Sequence, residues 1–320
     1  MVTIGIKGKE EAVVLPELTS KHIQSLKNFD KQFDSRAFQD INVDYINKYI
    51  AHCSKKGNSD TTLKIRLGEI RRIFNIAIRE GVAAQELYPF SKNKEDGKVR
   101  IPKTSPTKTD QYLSLESMKI LANTPMKNHV LERTRHLFLF SFYCRGMNWK
   151  DMALLTKSSF FPILVTDDET KKTSEVTMME YRRSKTKGEF VIQVTPNIQK
   201  ELDWFTENTL LYEDHVIPII SVPTTPETLD MYLAKVRQRF NHSLRKLAKE
   251  LGFPESQQKI TSYTARHSFA MTMLNLDKSV EIISQALGHQ SVETTKHYLA
   301  KFSSSKMAKE TDIDLSYETP

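Results

Sequence analysis

From residue 18 to residue 33, Ile23, Leu26, Phe29 and Phe33 recur at helical spacing with lysines between them, which predicts an amphipathic helix. Residues 43–53 repeat the pattern through Ile46 and Ile50, behind Asn42 as an N-cap. Ser59-Asp60-Thr61-Thr62 opens a longer helix whose apolar stripe is Leu63, Leu67, Ile70, Phe74 and Ile78, with Gly81 as its C-terminal stop. Further along the period changes. Residues 161–165, 176–182 and 190–194 read as three short strands, the last two joined by the hairpin tip 184–188. Helices return at 198–208, 225–251, 262–276 and 280–287. The expected fold class is mainly α with a small antiparallel β-sheet.

Polar stretches divide this pattern. Residues 91–111 carry Lys92, Lys94, Lys98, Arg100 and Lys103 with Pro102 and Pro106, too little apolar surface to fold independently. The chain is therefore expected to comprise an N-terminal segment (1–17), a helical domain (18–90), a basic linker (91–111), a second domain (112–302) and a polar tail (303–320). Ser114 or one of its neighbours is expected to cap the first helix of the second domain, from Leu115 onward.

Composition narrows the class. Apolar residues make up 39% and charged residues 27% of the 320 positions, which suits a soluble protein with a real core. The longest apolar run, 136–144, is broken by Arg145 and is too short to cross a bilayer. Residues 1–15 lack the features of a secretory signal. Cys53 and Cys144 alone make neither a disulfide framework nor a zinc site. A cytoplasmic, nucleoid-associated protein is the expectation. A net charge of +8 favours a polyanionic partner, because clustered Lys and Arg release condensed counterions from nucleic acid.

Candidate chemistry comes from spacing. Tyr298 follows His289 by nine residues, in Leu287-Gly288-His289, and His289 follows Arg266 by twenty-three. Breaking a phosphodiester without metal needs a nucleophile, cations on the non-bridging oxygens, donors for the transition state and an acid for the leaving oxygen. There is no Gly-rich phosphate loop and no carboxylate pair at metal-ligand spacing, so no cofactor and no metal is expected.

These residues resemble the tyrosine recombinases, or phage integrase family, over about residues 18–302 and most sharply over 263–298. The resemblance implies a SAM-like helical core-binding domain followed by a catalytic domain, the two closing as a C-shaped clamp on double-stranded DNA. It implies that Tyr298 is the nucleophile, forming a 3′-phosphotyrosine and freeing a 5′-hydroxyl. Arg145 and Arg266 would clamp the scissile phosphate, and His289 would donate to a non-bridging oxygen. Lys185 in Arg183-Ser184-Lys185-Thr186 would protonate the leaving oxygen, with Lys187 close enough to substitute.

The pattern departs from the family at two places. Asn148 stands where many members carry an acid, which comes instead at Asp151, as in the Arg-Gly-Met subgroup of conjugative-transposon and phage integrases. Tyr263 stands where members have His or Lys; a phenol with a reference pKa of about 10 is a poorer proton carrier, so this position is expected to tune rate. His267 is expected to pack locally. Lys64, Arg66, Arg71 and Arg72 are the candidate DNA contacts of the helical domain, with a solvated helix face as the plainer alternative.

The implied partners are double-stranded DNA and three further copies in a homo-tetramer on paired sites, with a monomer in solution also compatible, and DNA-bending or directionality factors. The implied function is integration or excision of a mobile element. Alternatives are a DNA-binding regulator of the same fold without chemistry, and an enzyme like the type IB topoisomerases. Larger integrases carry a further N-terminal domain for arm sites, so the chain is either a short integrase or one lacking that domain.

Overall fold

A computed structural model describes residues 2–6, 9–15, 20–91, 93, 96–102, 111–166, 171–184, 188–289 and 291–299, with side chains for all of these except 2–23, 34, 294 and 297–299. The chain divides into two compact units, Met1–Thr107 and Lys108–Pro320.

In the first unit the pattern names no element before residue 18, yet β1 (Val2–Ile6) and β2 (Lys9–Leu15) form an antiparallel hairpin with Val2 opposite Leu15. Helix α1 (Ser20–Phe29) stops four residues short of the predicted end. Asp30 ends it: its carboxylate accepts from the Gln32 backbone (3.0 Å), Arg36 Nε (2.7 Å) and the Tyr45 hydroxyl (3.1 Å), the local side-chain competition that turns a chain out of a helix. Phe33 then enters the core through a 3₁₀ turn.

Helix α2 (Val43–Lys55) is capped by Asn42, which accepts from the Tyr45 N–H at 3.0 Å. In α3 (Asp60–Arg79), Ser59 accepts from the Thr62 N–H at 3.3 Å. Its buried stripe holds Leu63, Leu67, Ile70 and Phe74 as expected and adds Ile73 and Ala77, while Ile78 is only half-buried. The stretch read as a linker starts inside this unit: Val99 pairs with Phe90, and both are buried in its core. Val99 and Ile101 are the two apolar residues in a charged stretch that a proline then ends, too short a pattern for periodicity to register.

The second unit is built round α5 (His129–Tyr143), which follows α4 (Leu115–Asn123). Leu137, Phe138, Leu139 and Phe140 are all buried, so this half of α5 is surrounded on every side. It packs on α7 (Pro196–Asn208), α8 (Pro226–Glu250) and α9 (Thr264–Asn275). A buried polar contact also joins α5 to α7: His136 Nδ1 lies 2.5 Å from Glu201 Oε2, and its ring stacks on Trp204 at 3.8 Å.

After the short α6 (Trp149–Ala153), strands β3 (Phe160–Thr166), β4 (Thr173–Arg182) and β5 (Glu189–Gln193) form one antiparallel sheet in that order. Met179 and Ile192, paired across β4 and β5, turn inward to the core. Helices α10 (Val280–Leu287) and α11 (Val292–Leu299) complete the unit, with α10 against α9 and α11. Among the described residues, no helix is long and apolar enough to cross a membrane.

Candidate active site

Helix α5 ends in two successive residues with positive φ, Arg145 (58°) and Gly146 (70°). Two N–H groups, of Gly146 (2.8 Å) and Met147 (3.1 Å), converge on the Ser141 carbonyl, and the Ser141 hydroxyl donates to the Met147 carbonyl at 2.8 Å. This turn holds Arg145 in a conformation that costs a non-glycine residue about 1–2 kcal/mol. Gly146 is required for a second reason. A Cβ there would lie 2.4 Å from Arg266 Cα and 2.6 Å from Arg266 Cβ. The end of α5 therefore rests directly on the backbone of Arg266, which sets the two arginines of the sequence pattern on neighbouring segments.

Arg266 occupies the first turn of α9. The Asn241 side chain of α8 accepts from the Ser262 N–H at 2.7 Å and so fixes the approach to this helix. Tyr263 is half exposed, with its ring edge-on to buried His267 at 4.7 Å. Tyr263 and Arg266 line a cleft of about 390 Å³ together with Gly146, Asp151, Ser184 and Arg237.

A third segment, the turn after α10, is hydrogen-bonded to Arg266. Gly288 takes the left-handed conformation (φ 61°), and a Cβ there would overlap the Phe190 ring. The Leu287 carbonyl, at the negative end of α10, accepts from Arg266 Nη2 (2.5 Å) and from Arg183 Nη2 (2.8 Å). His289 follows. Burial first, and then the positive charges of Arg266 and Arg183, push its pKa down to about 4, so the ring is neutral at pH 7. Its Nδ1 lies 2.7 Å from the hydroxyl of buried Thr295. Thr295 and Tyr298 share helix α11, three residues apart.

Residues 144–304 match the model of the phage integrase family, and residues 17–95 match that of the phage integrase SAM-like domain. The chain belongs to the phage integrase family. Tyrosine recombinase XerC of Pseudomonas fluorescens is 20% identical to it over 282 residues, covering 87% of this chain and 82% of that protein. Tyrosine recombinase XerD of Halalkalibacterium halodurans is 22% identical, covering 88% and 87%. Among solved structures, XerH site-specific recombinase bound to palindromic difH substrate superposes with a TM-score of 0.62 at 14% identity, over 91% of this chain and 77% of that one. The Tn1549 transposon integrase in complex with circular intermediate DNA gives 0.58 at 14%, over 90% and 91%. Both likenesses are likenesses of fold.

In this phage integrase the structure brings Arg266, His289 and Arg183 to one turn and sets Tyr263 in the cleft beside Arg266. Lys185 lies outside the described residues. Tyr298 lies on α11, and its side chain is among those outside the description. Asp151, the third residue of the short α6, is buried and accepts from the Ser184 N–H at 2.9 Å; it tethers the start of the hairpin tip.

The four candidate DNA contacts on α3 do not form one face. At 100° per residue, Lys64 and Arg71 lie within about 20° of each other while Arg66 is roughly 160° away. Arg66 instead donates to Cys53 Sγ (3.1 Å) and lines a polar groove with Gln24, Asn28, His52, Lys56 and Asn58. Arg72 is 3.6 Å from Glu69. Sequence reasoning did not single out Arg183, Phe190 and Thr295 as parts of the site. Arg183 was legible only as a neighbour of Lys185, and nothing in periodicity marks an arginine whose acceptors lie about a hundred residues away.

Proposed function

We propose that this phage integrase is a site-specific DNA recombinase that cuts and rejoins strands of double-stranded DNA through Tyr298, in the integration or excision of a mobile element. One observation carries this reading. Arg266 and a neutral His289 meet at the C-terminal turn of α10, and the Thr295 hydroxyl ties that turn to the helix bearing Tyr298.

In the reaction, the Tyr298 phenolic oxygen gives up its proton to solvent and forms a bond to phosphorus, the bond from phosphorus to the 5′-oxygen breaks, and the 3′-phosphate remains on the enzyme. Arg145 and Arg266 offset the charge on the non-bridging oxygens, where paired N–H donors in a dry site act most strongly. His289 serves as a donor when its proton is on Nε2 and Nδ1 accepts from Thr295. Lys185 gives the departing 5′-oxygen its proton, and Tyr263 contributes a hydrogen bond rather than a proton. No metal or cofactor enters these steps. Lys64 and Arg71, which share one side of α3, contribute phosphate contacts from the N-terminal unit. Four copies act on paired sites, because exchange of four strands needs four tyrosines.

The resemblance to XerH and Tn1549 integrase, both solved with DNA, supports the choice of partner. A nicked suicide substrate built from element-end DNA tests the reading. A covalent adduct that resists denaturant and disappears in Tyr298→Phe is the expected result. Tight binding with no adduct would favour a DNA-binding regulator.

A further inference from the structure

Arg183 is a buried cation that the strand-transfer steps above do not use. It sits one residue beyond β4, and its backbone N–H donates to the Gly188 carbonyl at 2.8 Å, closing the base of the 183–188 hairpin. Its guanidinium reaches back across the fold. Nη2 donates to the Leu287 carbonyl at 2.8 Å and Nη1 to the Gly288 carbonyl at 3.2 Å. Phe190, on the other strand of the same hairpin, lies under the guanidinium at 4.6 Å and packs against Gly288. Among the described residues, no carboxylate lies within ion-pair distance of Arg183. The cation is compensated instead by the carbonyl end of α10 and by an aromatic face.

We propose that Arg183 is a positioning residue that fastens the hairpin carrying Lys185 to the turn carrying His289, so that proton donor and phosphate ligand are seated together. This rests on the function proposed above. Both strands of the hairpin grip the turn, Arg183 from one and Phe190 from the other. The base of the hairpin is also tied to α6, where Asp151 accepts from the Ser184 N–H at 2.9 Å. Arginine is needed because its planar fork reaches two successive carbonyls at once, whereas a lysine ammonium is a single point of charge.

Leaving-group chemistry separates positioning from simple destabilisation. A 5′-bridging phosphorothiolate expels a thiolate, which leaves without being protonated, so its cleavage bypasses the proton donor. Arg183→Lys keeps the charge and loses the fork. Its rate of adduct formation should fall at least about tenfold further on oxygen-bridged DNA than on sulfur-bridged DNA, within the 10²–10⁴-fold range of general acid catalysis. Phe190→Leu should shift the same ratio in the same direction. Equal losses on the two substrates would overturn the proposal and leave Arg183 as a folding residue.

A second reading uses the protein without DNA: Arg183→Gln should raise the midpoint of the His289 ring titration. An unmoved midpoint would show that the two groups are not fastened together in solution. Failure of the unaltered protein to form adduct on either substrate would instead count against the proposed function, and the ring titration would still decide whether the fastening exists.

Discussion

Replacing Gly146 by alanine tests whether the end of α5 sets the position of Arg266. Two costs add. Alanine at φ 70° incurs the left-handed penalty of about 1–2 kcal/mol. Its Cβ would also meet Arg266 Cα at 2.4 Å, against 3.4 Å or more for ordinary contact, so the two backbones must part by about 1 Å, an overpacking cost of about 1–3 kcal/mol. Together these give a loss of about 2–5 kcal/mol. If Arg266 clamps the phosphate as proposed, a displacement of about 1 Å there should also slow adduct formation on the order of 100-fold. Gly252 supplies the internal control. It too has positive φ (69°), but an added Cβ there meets nothing within 4 Å. Gly252→Ala should therefore show only the backbone penalty and unchanged cleavage. Urea unfolding and suicide-substrate cleavage of the two variants measure the difference. Equal stability losses and equal cleavage would refute the idea that α5 rests on Arg266.

Other consequences follow from the same geometry. Arg145 has φ 58°, so Arg145→Gly should unfold at higher urea than Arg145→Ala by about 1–2 kcal/mol, although both lose cleavage; equal midpoints would remove the strain. The His289 ring should titrate near 4 in the free protein by NMR. Because that lies below the unfolded value of about 6.5, the stability it contributes is fully present above about 6.5 and is lost as pH falls through about 4. His289→Gln should flatten that part of the stability curve, and a midpoint near 6.5 would contradict the packing round the turn. Tyr263→Phe should slow cleavage roughly fivefold, the value of one hydrogen bond of about 1 kcal/mol. No change would make Tyr263 a packing partner of His267.

What the sequence carried well were features that are local in the chain. The cap expected at Asn42 formed, and the helix starts expected at 59–62 and near Ser114 are capped by Ser59 and Ser114, because a cap is written within four residues. Strands β3 to β5 and helices α7 to α10 lie where the change of period put them, and α5 announced itself as a continuous apolar run. Features that depend on distant partners were not readable. Asp30 ends α1 by engaging Arg36 and Tyr45, which no window centred on α1 contains. Val99 joins the first core from within a charged stretch. Within the site, the Arg–His–Tyr spacing pointed to α9, α10 and α11, since these elements follow one another along the chain. The seat of His289 was hidden, because Arg183, Phe190 and Thr295 come from three separate places, the end of β4, β5 and α11. The departure at Tyr263 was visible in sequence, but only the structure sets it half exposed in the cleft beside Arg266.

The central claim is that Tyr298 joins covalently to DNA. Its most direct test is proteolysis of the adduct trapped on a nicked element-end substrate, followed by mass mapping of the peptide that retains nucleotide. If the claim is right, the nucleotide is attached through the phenolic oxygen of Tyr298, at a 3′-phosphate, and Tyr298→Phe yields no such peptide. Attachment to any other side chain, or a trapped adduct that persists in Tyr298→Phe, would contradict it.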